Sequence, residues 1–268
     1  MASDAHAHPF DLAAYVCDSE PERRSLGIAC AASAWNGEQF SCHQELAVQA
    51  CREGAAPVAL CFAIHPQLAA AAYPPPFIPL LDLLETLAAG AALNAVGETG
   101  FDLYNKTFHA AEAVQDALFA AHLEIAVRYG LPMVLHVRRA MHKVFAYTGA
   151  LKKLPAAVFH SYMGTVGEGE SLLRRGVNAY FSFGASILLN HKEAIRSCAA
   201  LPLDHLLLET DAPYQPLRSR EFSRWSDLPV ILHGAAEIRK EAGVSGGDPA
   251  GLEAATDKNF CRIFFPSQ

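Results

Sequence analysis

Leu206-Leu207-Leu208-Glu209-Thr210-Asp211-Ala212-Pro213 is an apolar run that closes on two carboxylates and is stopped by a proline. Three leucines without polar alternation read as a strand buried on both faces, as in parallel sheets. Strand side chains alternate, so Glu209 and Asp211 are expected to point one way and Thr210 the other. A carboxylate at the mouth of a buried strand is costly unless a cation receives it, and a metal ion is the simplest receiver. Taken alone, the segment reads more simply as a strand end whose acids are hydrated.

The same pattern recurs outward along the chain. Apolar runs at 25–33, 57–66, 93–102, 132–138, 157–164 and 179–185 join 205–213, and the N-terminal 1–8 makes eight. Helical spacing fills most of the intervals, at 44–53, 77–89, 108–129 and 191–200. Continuous apolar strands alternating with helices indicate an α/β protein with a parallel sheet covered by helices. Eight such units over about 250 residues suit a closed (β/α)8 TIM barrel better than an open doubly wound sheet. No linker, low-complexity tract or repeat divides the sequence, so residues 1–268 are expected to form a single domain. Loop-rich stretches at 214–227 and 243–251 flank a helical pattern at 228–242. A last helix at 251–264 is expected to pack back on the barrel.

With 51% hydrophobic and 18% charged residues among 268, the chain belongs with globular and not disordered sequences. The N-terminus lacks a basic segment followed by an apolar run, and no run is long enough to span a bilayer, which predicts a soluble cytoplasmic protein. Seven cysteines without a C-x-x-C pair argue against a disulfide framework or a thiolate zinc site. A net charge of -7 disfavours broad adhesion to nucleic acid or anionic lipid, yet allows an anionic substrate at one local cationic spot. Bound divalent ions would add charge that this count omits.

Polar, metal-capable residues collect at the carboxyl ends of the expected strands, where barrel enzymes assemble their sites. His6 and His8 lie two apart on one face, a spacing that lets two imidazoles reach one ion. His65 precedes Pro66, and a lone histidine there is more often a hydrogen-bonding strand end than a ligand. Glu98, between small residues in Val96-Gly97-Glu98-Thr99-Gly100, can bridge two cations or be a plain turn acid; Asp102 reads as a cap or turn former. His136 and His160 each follow an apolar run. Singly these are satisfied core histidines, but His6, His8, Glu98, His136, His160 and Asp211 share one structural station. That donor set suits two divalent ions such as zinc, manganese or magnesium.

The ordered set D-A-H-A-H, A-I-H-P, G-E-T-G-F-D, L-H-V-R, F-H-S-Y-M-G and L-L-L-E-T-D-A-P-Y closely resembles the TatD family of metal-dependent deoxyribonucleases. The similarity runs to about residue 214 and resumes at Asn259-Phe260-Cys261-Arg262-Ile263-Phe264. The resemblance implies a metal-dependent hydrolase barrel acting on phosphodiesters, commonly DNA, and an exonuclease. It implies that His6, His8, Glu98 and Asp211 hold one ion and that Glu98, His136 and His160 hold the second. Glu98 would bridge, Asp211 would orient the attacking water and take its proton, and Glu209 would support the ligands. His65 and Arg138 match positions suited to grip the substrate phosphate. The sequence departs from the family pattern at Pro9-Phe10, at Ser161-Tyr162 where Cys-Phe is common, and in the loop after Pro213.

That loop carries Arg218, Arg220 and Arg224 among Tyr214, Phe222 and Trp225. It reads equally as a phosphate clamp with stacking rings or as a solvated loop around a buried tryptophan. Two rival functions keep the same residues. One is a metal-dependent ester or amide hydrolase, such as a D-aminoacyl-tRNA deacylase, since a metal centre does not select its electrophile. The other is a non-catalytic metal-binding protein. None of these readings implies an obligate protein partner.

Overall fold

Eight parallel strands pair in chain order: β1 (Ser3–Ala7), β2 (Ala29–Ala34), β3 (Val58–Phe62), β4 (Ala95–Asp102), β5 (Met133–Arg138), β6 (Ala157–Phe159), β7 (Ala179–Phe183) and β8 (Leu206–Leu208). The computed structural model describes residues 2–218 and 220–266, so Met1 of the expected first strand lies outside them. Helices lie between the strands, making the expected α/β barrel. None of them, among the described residues, is long and apolar enough to cross a membrane.

All-apolar strands still sort their side chains by alternation. Ala29, Ala31, Ala59, Cys61, Ala95, Val134, Val158 and Leu207 form one buried cluster with Tyr180, and it includes Phe260 and Phe264 of the helix Pro249–Phe264. Their neighbours Cys30, Ala32, Phe62, Val96, Leu135, Phe159, Phe181 and Leu206 join a second, larger cluster together with residues of the surrounding helices. Alternate positions of one strand thus serve two cores, as a barrel requires. The last helix packs on β8 and β1, and truncating a buried ring such as Phe260 would cost roughly 3–5 kcal/mol.

Between β1 and β8 the seam is closed by loop backbone and by the side chains of Asp4 and Thr210. His8 N donates to Ala212 O (2.8 Å), Asp211 N donates to His6 O (3.0 Å), and the Asp4 carboxylate accepts from Thr210 N (3.0 Å). The barrel therefore closes at three of the sequence-predicted site residues, His6, His8 and Asp211, and their neighbours.

Several strands stop earlier than their apolar runs. β3 ends at Phe62 and not Pro66, β6 at Phe159 and not Gly164, and β8 at Leu208 and not Pro213. The backbone turns away in each case: His65 begins a 3-10 turn, and Ser161 and Asp211 adopt left-handed φ of 45° and 54°. The regular strand ends before Glu209 and Asp211, but their carboxylates both serve the Ser161 side, Glu209 accepting from Ser161 N and Asp211 from Gln215, whereas Thr210 bonds Asp4. Helix starts also moved. The helix expected at 44–53 begins at Gly37 because the Asn36 side chain caps it by accepting from Gln39 N. The 108–129 pattern divides into Lys106–Ala110, capped by Asn105, and Glu112–Tyr129.

Candidate metal centre

The strand ends deliver their polar groups to one cavity of about 600 Å³. His8, His65, Glu98, His136, Arg138, His160 and Asp211 line it, and His6 lies fully buried against the same cluster. His6 comes from β1 and His8 from the residue after it, while Glu98 and His136 lie within β4 and β5. His160 follows β6 and Asp211 lies three residues past β8.

Glu98 divides its two oxygens between two groups of donors. Oε2 lies 3.1 Å from His6 Nε2 and 3.5 Å from His8 Nε2. Asp211 Oδ1 faces the same pair at 3.6 and 3.5 Å. Oε1 lies 2.8 Å from His136 Nδ1 and 2.7 Å from His160 Nε2, and those nitrogens are 3.1 Å apart. Burial pushes the Glu98 carboxyl up, but positive charge on the surrounding histidines, or on a cation in their place, holds it well below the usual carboxylate range. Burial together with His160 lowers His6.

The outer ring nitrogens explain why the inner ones present lone pairs. His136 Nε2 faces Asp102 Oδ2 at 3.3 Å, His6 Nδ1 faces Ser33 Oγ at 3.2 Å, and His160 Nδ1 lies 3.5 Å from Glu209 Oε1. With a proton on each outer nitrogen, the inner nitrogens converge as unprotonated donors around the oxygens of Glu98. Nitrogen and carboxylate oxygen crowded at such spacing repel one another unless protons or a divalent cation stand between them. Among the described residues, three overlapping triplets, His6–Glu98–His160, His6–His8–Asp211 and His65–Glu98–His136, each bring their donor atoms close enough to hold a cation, with outer partners orienting the rings.

His65 has the opposite polarity. Gln67 N donates to its Nδ1 (3.2 Å), which makes Nδ1 the acceptor and leaves the hydrogen of a neutral ring on Nε2. That nitrogen, 3.0 Å from Glu98 Oε1, presents an N–H to the cavity. Burial lowers the pKa of His65 and keeps the ring neutral. Its proximity to Glu98 and His136 would suit a further ligand, but the hydrogen-bond pattern makes it a donor.

Arg138 is the only lysine or arginine lining the cavity among the described residues. Its guanidinium stacks 3.6 Å over the Tyr104 ring, with Arg139 4.5 Å from the same ring. The loop arginines sit elsewhere. Arg220 pairs with buried Asp227 at 2.8 Å, Arg224 binds Glu22 through Nε and Nη2, and neither these nor Arg218 line the cavity. The expected clamp at Arg218 and Arg220 is thus absent from the cavity wall, because the buried Asp227 and Trp225 draw this loop into the structure. Among the described residues of that loop, only Tyr214 and Gln215 reach the cavity.

Several cavity residues were not read from the sequence. Trp35 and Phe108 line it, as does Asp11, which receives Gln39 Nε2 and the Tyr214 hydroxyl. Gln67 also donates to Asp102 Oδ2 (2.8 Å), so Asp102 serves His136 and Gln67 besides the Tyr104 N–H expected of a turn former. One signal was available for two of them: Asp11 and Gln67 lie within three residues of His8 and His65, which the sequence had singled out.

Known proteins resemble this chain throughout. The profile of the family described as TatD related DNase matches residues 3–265. A 3'-5' ssDNA/RNA exonuclease TatD from Cronobacter sakazakii is 37% identical over 188 residues, covering 68% of each chain. The protein of the same name from Dickeya dadantii is 34% identical over 194 residues, covering 70% of each. The crystal structure of YJJV, a TATD homolog from Escherichia coli K12, superposes with a TM-score of 0.82 at 25% identity, covering 98% of this chain and 97% of that one. An uncharacterized amidohydrolase from Saccharomyces cerevisiae shares the fold at a TM-score of 0.74 and 14% identity, covering 98% of this chain and 100% of that one.

Proposed function

Because this chain belongs to the TatD-related DNase family and is a hydrolase of phosphodiester bonds, we propose that it removes nucleotides from the 3' end of single-stranded nucleic acid using two divalent ions. The observation that carries the two-ion reading is the division of Glu98, one oxygen to His6 and His8 and the other to His136 and His160. His6, His8, Glu98 and Asp211 would hold one ion, and Glu98, His136 and His160 the other. Zinc, manganese and magnesium all accept such donors. Bound there, divalent ions supply Lewis acidity, lowering the pKa of a water and offsetting charge on phosphoryl oxygens.

The protein's own groups then have separable tasks. Arg138, fixed on Tyr104, binds the phosphate of the scissile bond by charge-assisted hydrogen bonds. His65 Nε2–H, 3.0 Å from Glu98 Oε1, turns from that oxygen to a phosphoryl oxygen when substrate binds, and the ring stays neutral because Gln67 N occupies Nδ1. Asp211 takes the proton of the attacking water at Oδ1, the oxygen turned toward His6 and His8; its Oδ2 already accepts from Gln215. Water oxygen bonds to phosphorus, the bond from phosphorus to the leaving sugar oxygen breaks, and solvent protonates that oxygen. Glu209 holds the Ser161 N–H (2.7 Å) and faces His160, which positions that ring.

The test is a cleavage ladder on 5'-end-labelled single-stranded DNA with the metal-replete protein, beside an aminoacyl ester as control. Successive shortening from the 3' end supports the proposal. No shortening of DNA together with turnover of the ester would overturn it in favour of the ester hydrolase.

A further inference from the structure

We propose that Gln215, anchored by Ser161, is a positioning residue that fixes the Asp211 carboxylate; this rests on the reading of Asp211 as ligand and proton acceptor. Gln215 Nε2 donates to Asp211 Oδ2 at 2.7 Å. The Ser161 hydroxyl lies 2.9 Å from Gln215 Oε1 and 2.8 Å from its Nε2, so it holds the amide from the other side. Ser161 N in turn donates to Glu209 Oε1, the oxygen that faces His160. One chain of hydrogen bonds thereby joins Asp211, in the first ligand group, to Glu209, whose Oε1 lies 3.5 Å from His160 Nδ1 in the second.

The backbone supplies an independent observation. Among the described residues six that are not glycine have left-handed φ, and three of them are Ser161 (45°), Asp211 (54°) and Gln215 (52°). Such backbone is unfavourable for residues with a Cβ and persists only where the surroundings impose it. Here it occurs at three residues linked through Gln215, which lies 54 residues from Ser161 in sequence.

The chemistry follows from the acceptor count. A carboxylate turns about its Cβ–Cγ bond unless both oxygens are engaged. The amide donated to Oδ2 keeps Oδ1 toward His6 and His8, which leaves Oδ1 as the oxygen for the water's proton.

The test uses Q215L, S161A and the double variant in the full-length protein, with circular dichroism as the check on folding. Mn2+ affinity of the metal-stripped protein is read by titration calorimetry, and kcat and KM on single-stranded DNA. Q215L is expected to weaken Mn2+ binding at one site and to lower kcat, each by about tenfold, with KM within twofold. S161A is expected to give a smaller loss, and no further loss when added to Q215L. Wild-type Mn2+ affinity in Q215L, or additive effects in the double variant, would overturn the proposal. If Q215L does not fold, S161A decides by the same Mn2+ titration. Should the wild-type protein fail to cleave DNA, the functional reading falls, while the Mn2+ titration still decides the role of Gln215.

Discussion

Asp4 and Thr210, 206 residues apart in sequence, are bound to each other twice: Thr210 N donates to Asp4 Oδ1 and the Thr210 hydroxyl lies 2.6 Å from Oδ2. Asp4 also accepts from His6 N, and burial pushes its carboxyl up to about 7 despite these bonds. Asp4 lies two residues before His6, and Thr210 immediately precedes Asp211. Asp4→Ala strands buried donors at the seam, so unfolding stability is expected to fall by about 2–4 kcal/mol. Thr210→Val, which removes only the hydroxyl, should cost about 1–2 kcal/mol. Urea midpoints measure both, and an unchanged midpoint in Asp4→Ala would contradict the closure described above.

Metal removal should stop cleavage, and added Mn2+ or Zn2+ should restore it. Glu98→Ala and Asp211→Asn are expected to lower turnover by roughly two to three orders of magnitude, the scale of losing one electrostatic stabiliser. Elemental analysis of Glu98→Ala should show loss at both positions, whereas a variant losing only one ion would place the bridge elsewhere.

Arginines in and out of the cavity should separate kinetically. Arg138→Ala is expected to raise KM about tenfold, equivalent to about 1.4 kcal/mol of binding. Arg220→Ala should leave KM within twofold and reduce stability by about 1 kcal/mol, since its partner Asp227 is buried while the guanidinium is partly exposed. Equal KM effects from the two would restore the loop as a phosphate clamp.

Acid stability should be governed partly by His122, on the helix Glu112–Tyr129. Its Nε2 accepts from Ile64 N (2.9 Å) and its Nδ1 meets Leu118 O (2.5 Å), a pattern open only to the neutral ring. Burial lowers its pKa from 6.5 to about 4. The folded state then resists protonation while the unfolded chain accepts it, so the stabilisation is complete above about pH 6.5 and is lost as pH falls toward 4. The loss amounts to about 3 kcal/mol. His122→Gln keeps a donor and an acceptor without titrating, and its stability should fall less over that interval; parallel acid limbs would assign the lability to other groups.

The barrel was legible because eight apolar runs at regular spacing leave few alternatives, and the six converging donors were legible because each is a polar group set in or just after such a run. Strand ends were placed too late, since nothing in an apolar run announces that Ser161 or Asp211 will take left-handed backbone. Periodicity also says nothing about partners between distant loops. Gln67 on Asp102, Gln215 on Asp211 and Arg220 on Asp227 join residues whose proximity the fold creates. The arginines of the last loop misled because charge in a sequence does not reveal whether a buried acid has already claimed it.

Arg138 is the only lysine or arginine on the cavity wall among the described residues, and Tyr104 keeps it in place. A strand gripped at one phosphate displaces few counterions, so affinity should fall with salt by a log–log slope of about 0.7. So weak a hold lets the shortened strand escape between cuts: degradation should be distributive, and many molecules in a pool should shorten together while few vanish outright.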